Sequence, residues 1–236
     1  MSKFVLTITG ADEDVDPMDL VALSKEYEFV EWGILFSATA AGTDRYPTKE
    51  WRSAFYDSIM SVPYKVNTSA HLCGSFVDQR LDTKDYLNTE VEMFYRRVQF
   101  NKFNDVNFKE ILEYQAGTST PVIFPYNTRT KPLIDNIQDK SRTSILFDAS
   151  GGRGVVASAW PDHVKGSFMC GYAGGLTEEN IESNLAQLGA IYGDSPFWVD
   201  LETGARDLEN KFSIAQVERI LKKASGYYGE NRIQLV

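Results

Sequence analysis

The chain is poor in cysteine and histidine, with two of each among 236 residues. Cys73 and Cys170 each stand near the end of an apolar run, and this forms neither a disulfide framework nor a paired metal-ligand spacing. Positive charge is also scarce: 24 Lys and Arg stand against 33 Asp and Glu, a formal charge of −9. Binding a nucleic-acid backbone needs clustered cations. The pairs Arg96-Arg97 and Lys222-Lys223 are short and isolated, so no nucleic-acid partner is expected. No apolar run approaches the ~20 residues that span a bilayer, so no membrane partner is expected either. Met1-Ser2-Lys3 leads into the strand-like Phe4-Val5-Leu6 without a signal-peptide pattern, and the expected location is cytoplasmic. Glycine is thin where a dinucleotide site would need it. The first turn, Gly10-Ala11-Asp12-Glu13, has a single glycine, which argues against an open doubly wound sheet.

Apolar material is plentiful, at 43% hydrophobic and 13% aromatic residues, enough for a large core. Short β-rich runs near 4–9, 29–36, 64–73, 97–102, 121–125, 144–148, 168–172 and 196–202 alternate with helical patterns. Thr48 precedes a helix carrying Trp51, Ala54, Phe55 and Ile59, and Ser213 precedes one carrying Ile214, Val217, Ile220 and Leu221. Thr177-Glu178-Glu179-Asn180 reads as the acidic first turn of another helix, suited to its dipole. The stretch from Gly151 to Gly166 reads as a loop or a short helix. Alternating strands and helices imply a parallel sheet. The fold class is therefore α/β, a single (β/α)8 TIM barrel forming one domain over residues 1–236, near the ~250 typical of such barrels.

In a barrel, chemistry comes from the carboxyl ends of strands and the loops after them. Those positions hold Thr7 and Thr9, Ser37 with Arg45, His71 with Cys73, Gln99 with Asn101, Asp148, and Asp200 with Glu202. Asp148 ends the apolar run Ile145-Leu146-Phe147, and a carboxyl sheltered by apolar walls gains proton affinity, which suits a general acid. Gly174-Gly175 and Thr203-Gly204 follow the last two strands, where glycine lets the backbone and helix N-termini approach an anion. Glu178 and Glu179 count against that anion site. His71 reads as a buried structural histidine or a catalytic one, and Cys73 as packing. Lys102 alternates with Gln99 and Asn101 and should point away from the axis. Asp148, Asp200 and Glu202 lack a histidine among them beyond His71, so no metal and no cofactor are expected. The loop from Ala38 to Pro47 has no large apolar anchor and reads as a lid carrying Arg45 over a bound anion.

Three ordered motifs in the last ninety or so residues resemble phosphoribosylanthranilate isomerase. Leu146-Phe147-Asp148-Ala149-Ser150-Gly151-Gly152-Arg153-Gly154 is similar to its sixth-strand segment. Ala173-Gly174-Gly175-Leu176 is similar to its seventh, and Val199-Asp200-Leu201-Glu202-Thr203-Gly204 to its eighth. Arg45 stands where the family has an arginine, and Val98-Gln99-Phe100-Asn101 where it has Val-Gln-Leu-His. Thr7-Ile8-Thr9-Gly10 replaces the family's Lys-Ile-Cys-Gly, so Thr9 takes the place of the catalytic cysteine.

The resemblance implies an isomerase of a sugar phosphate or phosphoribosyl compound, rearranging an aldose amine into a ketose amine. Asp148 keeps the acid's place. Thr9 does not ionise near pH 7, which leaves Glu202, His71 and Asp200 as candidate bases. Arg45, Asn101 and Asp200 would bind substrate, and Gly152, Gly174, Gly175, Thr203 and Gly204 its phosphate. The expected partner is a small phosphorylated metabolite, and the chain is expected to be a monomer or homodimer. The other reading is a catalytically silent barrel that binds a phosphorylated metabolite or a protein partner.

Overall fold

The structure is a computed structural model that describes residues 4–86, 89–148 and 160–228. Eight parallel strands close on themselves in chain order: β1 (Phe4–Thr9), β2 (Val30–Ser37), β3 (Asn67–Cys73), β4 (Arg97–Phe100), β5 (Val122–Pro125), β6 (Thr143–Asp148), β7 (Met169–Ala173) and β8 (Phe197–Leu201). Both faces of the strands are buried, one against the helical ring and one against the barrel axis, so β1 is buried at all six positions. That is why the strands read as near-continuous apolar runs.

The ring comprises α1 (Pro17–Glu26), α2 (Lys49–Met60), α3 (Ser75–Asp82), α4 (Glu90–Phe94), α5 (Phe108–Gly117), α6 (Lys131–Asp135), α7 (Ile181–Tyr192) and α8 (Ile214–Ser225). Thr48 and Ser213 cap α2 and α8 as their sequences predict, accepting from the N–H of Trp51 and Gln216. The start of α7 differs from the sequence reading. Residues 177–180 form a turn, in which the Asn180 side-chain Oδ1 accepts from Thr177 N–H at 2.9 Å, and the helix begins at Ile181. Side chains that bond back to their own turn compete with the helical ladder. Between Trp160 and β7 the described residues hold no helix. Among the described residues no helix is long and apolar enough to cross a membrane.

Inward-facing residues stack in layers of four drawn from alternate strands. The lowest polar layer holds Glu31, Arg97, Ser144 and Trp198, and above it lie Thr7, Ser69, Ile123 and Gly171. Gly33, Gln99, Leu146 and Asp200 follow, then Thr9, His71, Pro125 and Ala173. Leu35, Asn101, Asp148 and Glu202 form the rim.

Arg97 and Glu31 make a two-point ion pair deep in the barrel, at 2.5 and 3.0 Å, and Thr7 Oγ1 donates to the same carboxylate at 2.9 Å. The Arg97 guanidinium lies 4.5 Å over the Trp198 ring. Gly171 makes room for that ring: a Cβ there would lie 1.9 Å from the indole.

Candidate active site

Where the layers end, a cavity of about 700 Å³ opens at the carboxyl ends of the strands, in the size range of small-molecule sites. It gathers Thr9, Arg45, His71, Asn101, Asp148, Gly174, Gly175, Asp200, Glu202, Thr203 and Gly204 from positions spread over the whole chain. Gly152 lies outside the described residues. Thr7 is not part of the cavity. It sits two layers below Thr9, facing Glu31, because residues two apart on a strand share a face but differ in depth.

Asp200 is the most perturbed group in the site. The barrel walls desolvate it, Glu202 and Glu31 add like charge, and together they push its carboxyl up to about 7, against the pull of Thr9 and Arg97. Thr9 Oγ1 donates to Asp200 Oδ1 at 2.9 Å. Thr9 is itself buried, pressed against Gly33, where a Cβ would meet its hydroxyl at 2.3 Å. Asp148 stands on the same wall with only β7 between its strand and that of Asp200, paired through Ala173.

His71 borders the cavity but is almost completely buried, with Nε2 3.1 Å from Ser69 Oγ. Desolvation lowers its pKa to about 4, so the ring is neutral at physiological pH. Asn101 accepts from Gln99 Nε2 at 2.5 Å and donates to Cys73 Sγ at 3.1 Å. Cys73 is outside the cavity lining, and burial raises its thiol further from ionisation. Lys102 turns outward to Asp78, as its alternation predicts.

The loop over the mouth is tied down at several points. Within residues 38–47, Gly42 N–H donates to Tyr46 O at 2.7 Å and Thr43 N–H to Ala40 O at 3.0 Å. Arg45 has φ +76°, and its N–H donates to Asp12 Oδ2 at 2.7 Å. Its guanidinium pairs with Glu202 and donates to Asn210 Oδ1 at 2.9 Å. Arg206, which sequence reasoning passed over, is buried beside it and bonds Asp12, Gly10 O and Asn210 O at 2.7–2.9 Å. The φ of Asn210 is +61°, so two left-handed non-glycine residues meet in this one network.

After β7, Gly174 and Gly175 have φ +110° and +63°, which only glycine adopts freely. A Cβ on Gly204 would strike Leu176 O at 2.2 Å, so the loops after β7 and β8 touch backbone to backbone. Asn180 holds Gly175 O and Gln216 holds Gly204 O, at 2.8 and 2.7 Å. Among the described residues, no hydrogen bond uses the N–H of Gly174, Gly175, Thr203 or Gly204. Glu178, expected at the positive end of a helix here, instead pairs with Arg219 and Lys223 of α8, while Glu179 borders the cavity. No group of three or more His, Cys, Asp or Glu among the described residues is placed to hold a metal ion.

No family model matches the chain, and no curated protein matches it in sequence. Solved structures do match over nearly its whole length. Phosphoribosyl anthranilate isomerase from Thermus thermophilus superposes with a TM-score of 0.59 at 14% identity, covering 94% of this chain and 98% of that one. TrpF from Jonesia denitrificans gives 0.63 at 15% identity, covering 95% and 98%. A phosphoribosyl anthranilate isomerase in complex with reduced 1-(o-carboxyphenylamino)-1-deoxyribulose 5-phosphate gives 0.57 at 16%, covering 96% and 100%. The chain therefore has the fold that its motifs imply, a divergent (β/α)8 barrel like that of these isomerases. At such identities the likeness speaks for the fold alone, and other barrels share it. The DAHP synthase of Thermotoga maritima matches at 0.56 with 9% identity.

Proposed function

We propose that the protein is an isomerase of a phosphorylated sugar amine or a closely related phosphorylated sugar, working by proton transfer between two carboxyl groups. The observation that carries this reading is the pair Asp148 and Asp200 on one wall of one cavity, with the proton affinity of Asp200 moved to about 7. A group poised near ambient pH is suited to taking and returning a proton. Asp148 gives a proton to the ring oxygen as the C1–O bond opens and nitrogen forms the C=N bond. Asp200 removes the C2 proton to give an enolamine and returns a proton to C1, while the C2 hydroxyl proton passes to Asp148 as the C2=O bond forms, so both carboxyl groups end as they began. Nothing is oxidised or reduced overall.

Of the three candidate bases, Asp200 fits best. His71 is too weakly basic, and Glu202 is held by Arg45. Thr9 orients the base through its hydrogen bond instead of serving as one. The N–H groups of Gly174, Gly175, Thr203 and Gly204, which no other described residue takes, support a phosphate seat of backbone donors on the lip after β7 and β8.

The test is incorporation of solvent deuterium at C2 of a phosphorylated aldose amine, followed by NMR. The native protein should exchange, with a rate that rises as pH passes about 7. Asp200→Asn and Asp148→Asn should each lower it by about 10²–10⁴-fold. Exchange unchanged in Asp200→Asn would refute the assignment of the base. Binding without exchange in the native protein would favour a silent metabolite-binding barrel, a reading that rests on the non-ionising Thr9.

A further inference from the structure

His71 borders the cavity, yet the proton transfers between the two carboxyl groups leave it unused. It stands with Thr9 in the layer directly above Asp200, and both press on one point of β2. A Cβ on Gly33 would lie 2.3 Å from Thr9 Oγ1 and 3.1 Å from His71 Nε2 and Cε1. The ring is therefore beside the hydroxyl that orients the base. Desolvation keeps it neutral at physiological pH although Glu31 favours its charge, so one of its two nitrogens carries a hydrogen and the other is bare.

Ser69 decides which nitrogen that is. The serine is fully buried, and among the described residues its hydroxyl has one partner, His71 Nε2 at 3.1 Å. Neither neighbouring threonine serves it, because Thr7 bonds Glu31 and Thr9 bonds Asp200. With the hydrogen on Nε2, the ring would donate to Ser69 and leave the serine O–H a buried donor without an acceptor, which is costly. With the hydrogen on Nδ1, Ser69 donates to a bare Nε2 and that cost disappears. Nδ1 makes no hydrogen bond among the described residues, yet it is not one of their buried unpartnered polar atoms. It therefore keeps accessible surface where the ring borders the cavity.

We propose that His71 is a hydrogen-bond donor to the substrate, with Ser69 fixing its tautomer, so that Nδ1–H reaches a hydroxyl or carbonyl oxygen of the sugar beside the carbon that Asp200 deprotonates. This rests on the phosphorylated-sugar reading and adds a second kind of contact to it. An uncharged donor holds and polarises an oxygen without releasing its own proton, so it does not compete with Asp148 and Asp200. Ser69 touches no substrate and is a positioning residue.

Two measurements test it. In protein labelled with 15N-histidine, long-range 1H–15N correlation at pH 7 should place the His71 hydrogen on Nδ1, with His163→Gln identifying the signals. Ribitol 5-phosphate should move the Nδ1 resonance. A hydrogen on Nε2, or a charged ring, overturns the proposal. In calorimetry, His71→Leu should bind ribitol 5-phosphate about tenfold more weakly than the native protein. His71→Asn puts its amide nitrogen in the place of Nδ1 and should recover most of that loss, whereas His71→Gln puts it in the place of Nε2 and should not. Circular dichroism establishes that the variants are folded. Undiminished binding by folded His71→Leu, or equal binding by the Asn and Gln variants, also overturns it. If the folded native protein binds no ribitol 5-phosphate while the hydrogen is on Nδ1, the phosphorylated-sugar reading falls and takes this contact with it.

Discussion

The two halves of the barrel interior are built from different materials. Strands β1 to β4 send Thr7, Thr9, Glu31, Ser69, His71, Arg97 and Gln99 toward the axis, all buried. From the other half come Ile123, Leu146, Met169 and Trp198, which pack with Val5 of β1 into an apolar cluster of their own. The halves meet where Arg97 reaches across and lies on the Trp198 ring. The polar half thereby carries charge into a barrel that layers of branched apolar residues ordinarily fill. It holds that charge only because Glu31 answers it. Burial works against the Glu31 charge, yet the Arg97 guanidinium beside it and the Thr7 hydroxyl keep its pKa below the usual carboxylate value. The apolar half surrounds the two acids Asp200 and Asp148 at its upper end.

The largest break of this contrast should come from Arg97→Met, which leaves Glu31 buried without its partner. About 3–5 kcal/mol of stability should be lost in urea unfolding, and removing Glu31 as well, in Arg97→Met with Glu31→Leu, should recover most of it. A double variant as unstable as the single one would mean that the pair is not the source of the loss.

A smaller effect is expected on the apolar side. Gly171→Ala places a methyl inside the Trp198 ring and should cost about 1–3 kcal/mol, with a changed tryptophan fluorescence. Gly33→Ala faces a hydroxyl that can rotate, and it should cost less stability while disturbing the Thr9–Asp200 bond.

The smallest effect is a pH signature on Asp200→Asn. The folded value of Asp200, about 7, lies above its ordinary 3.8, so the folded chain keeps a proton that the unfolded chain releases. Its stabilising contribution is complete below about pH 4 and is lost as pH rises through 7. Asp200→Asn should therefore raise the melting temperature modestly at pH 8 and lose that advantage toward pH 4. His71 acts in the opposite sense. Its folded value of about 4 lies below 6.5, so it withdraws stability as pH falls through that range and is unaffected by the substitution. A gain independent of pH would show that Asp200 does not ionise within the fold.

Much of the architecture was legible along the chain, for a physical reason. Parallel strands buried on both faces must be apolar at successive positions, so runs such as Ile145-Leu146-Phe147 announce themselves, and Thr48 and Ser213 bond only within their own turns. Errors fell where side chains bond locally in competition with helix, as at Thr177 and Asn180, or where a strand-end position carries no depth, as at Thr7. The candidate site was legible as a set of residues and not as a set of roles. Asp200 stood among three possible bases, and the pairing of Arg45 with Glu202 carried no signal along the chain. Arg206 and Asn210 carried no motif that could have drawn attention to them.

The alternation of apolar strands with capped helices, present in the order of residues, was enough to require a parallel sheet, and the single glycine of the first turn favoured its closing into a barrel with the strand ends at one mouth. Local propensity and periodicity act over a few residues, and this information is wholly contained in a stretch of chain. Which carboxyl group takes up a proton near neutrality, and which arginine is already taken, was decided only in three dimensions. Thr9 and Asp200 are 191 positions apart, and Arg45 and Glu202 are 157 apart. A proton affinity depends on desolvation and on charges within a few ångströms, and closure of the barrel creates both.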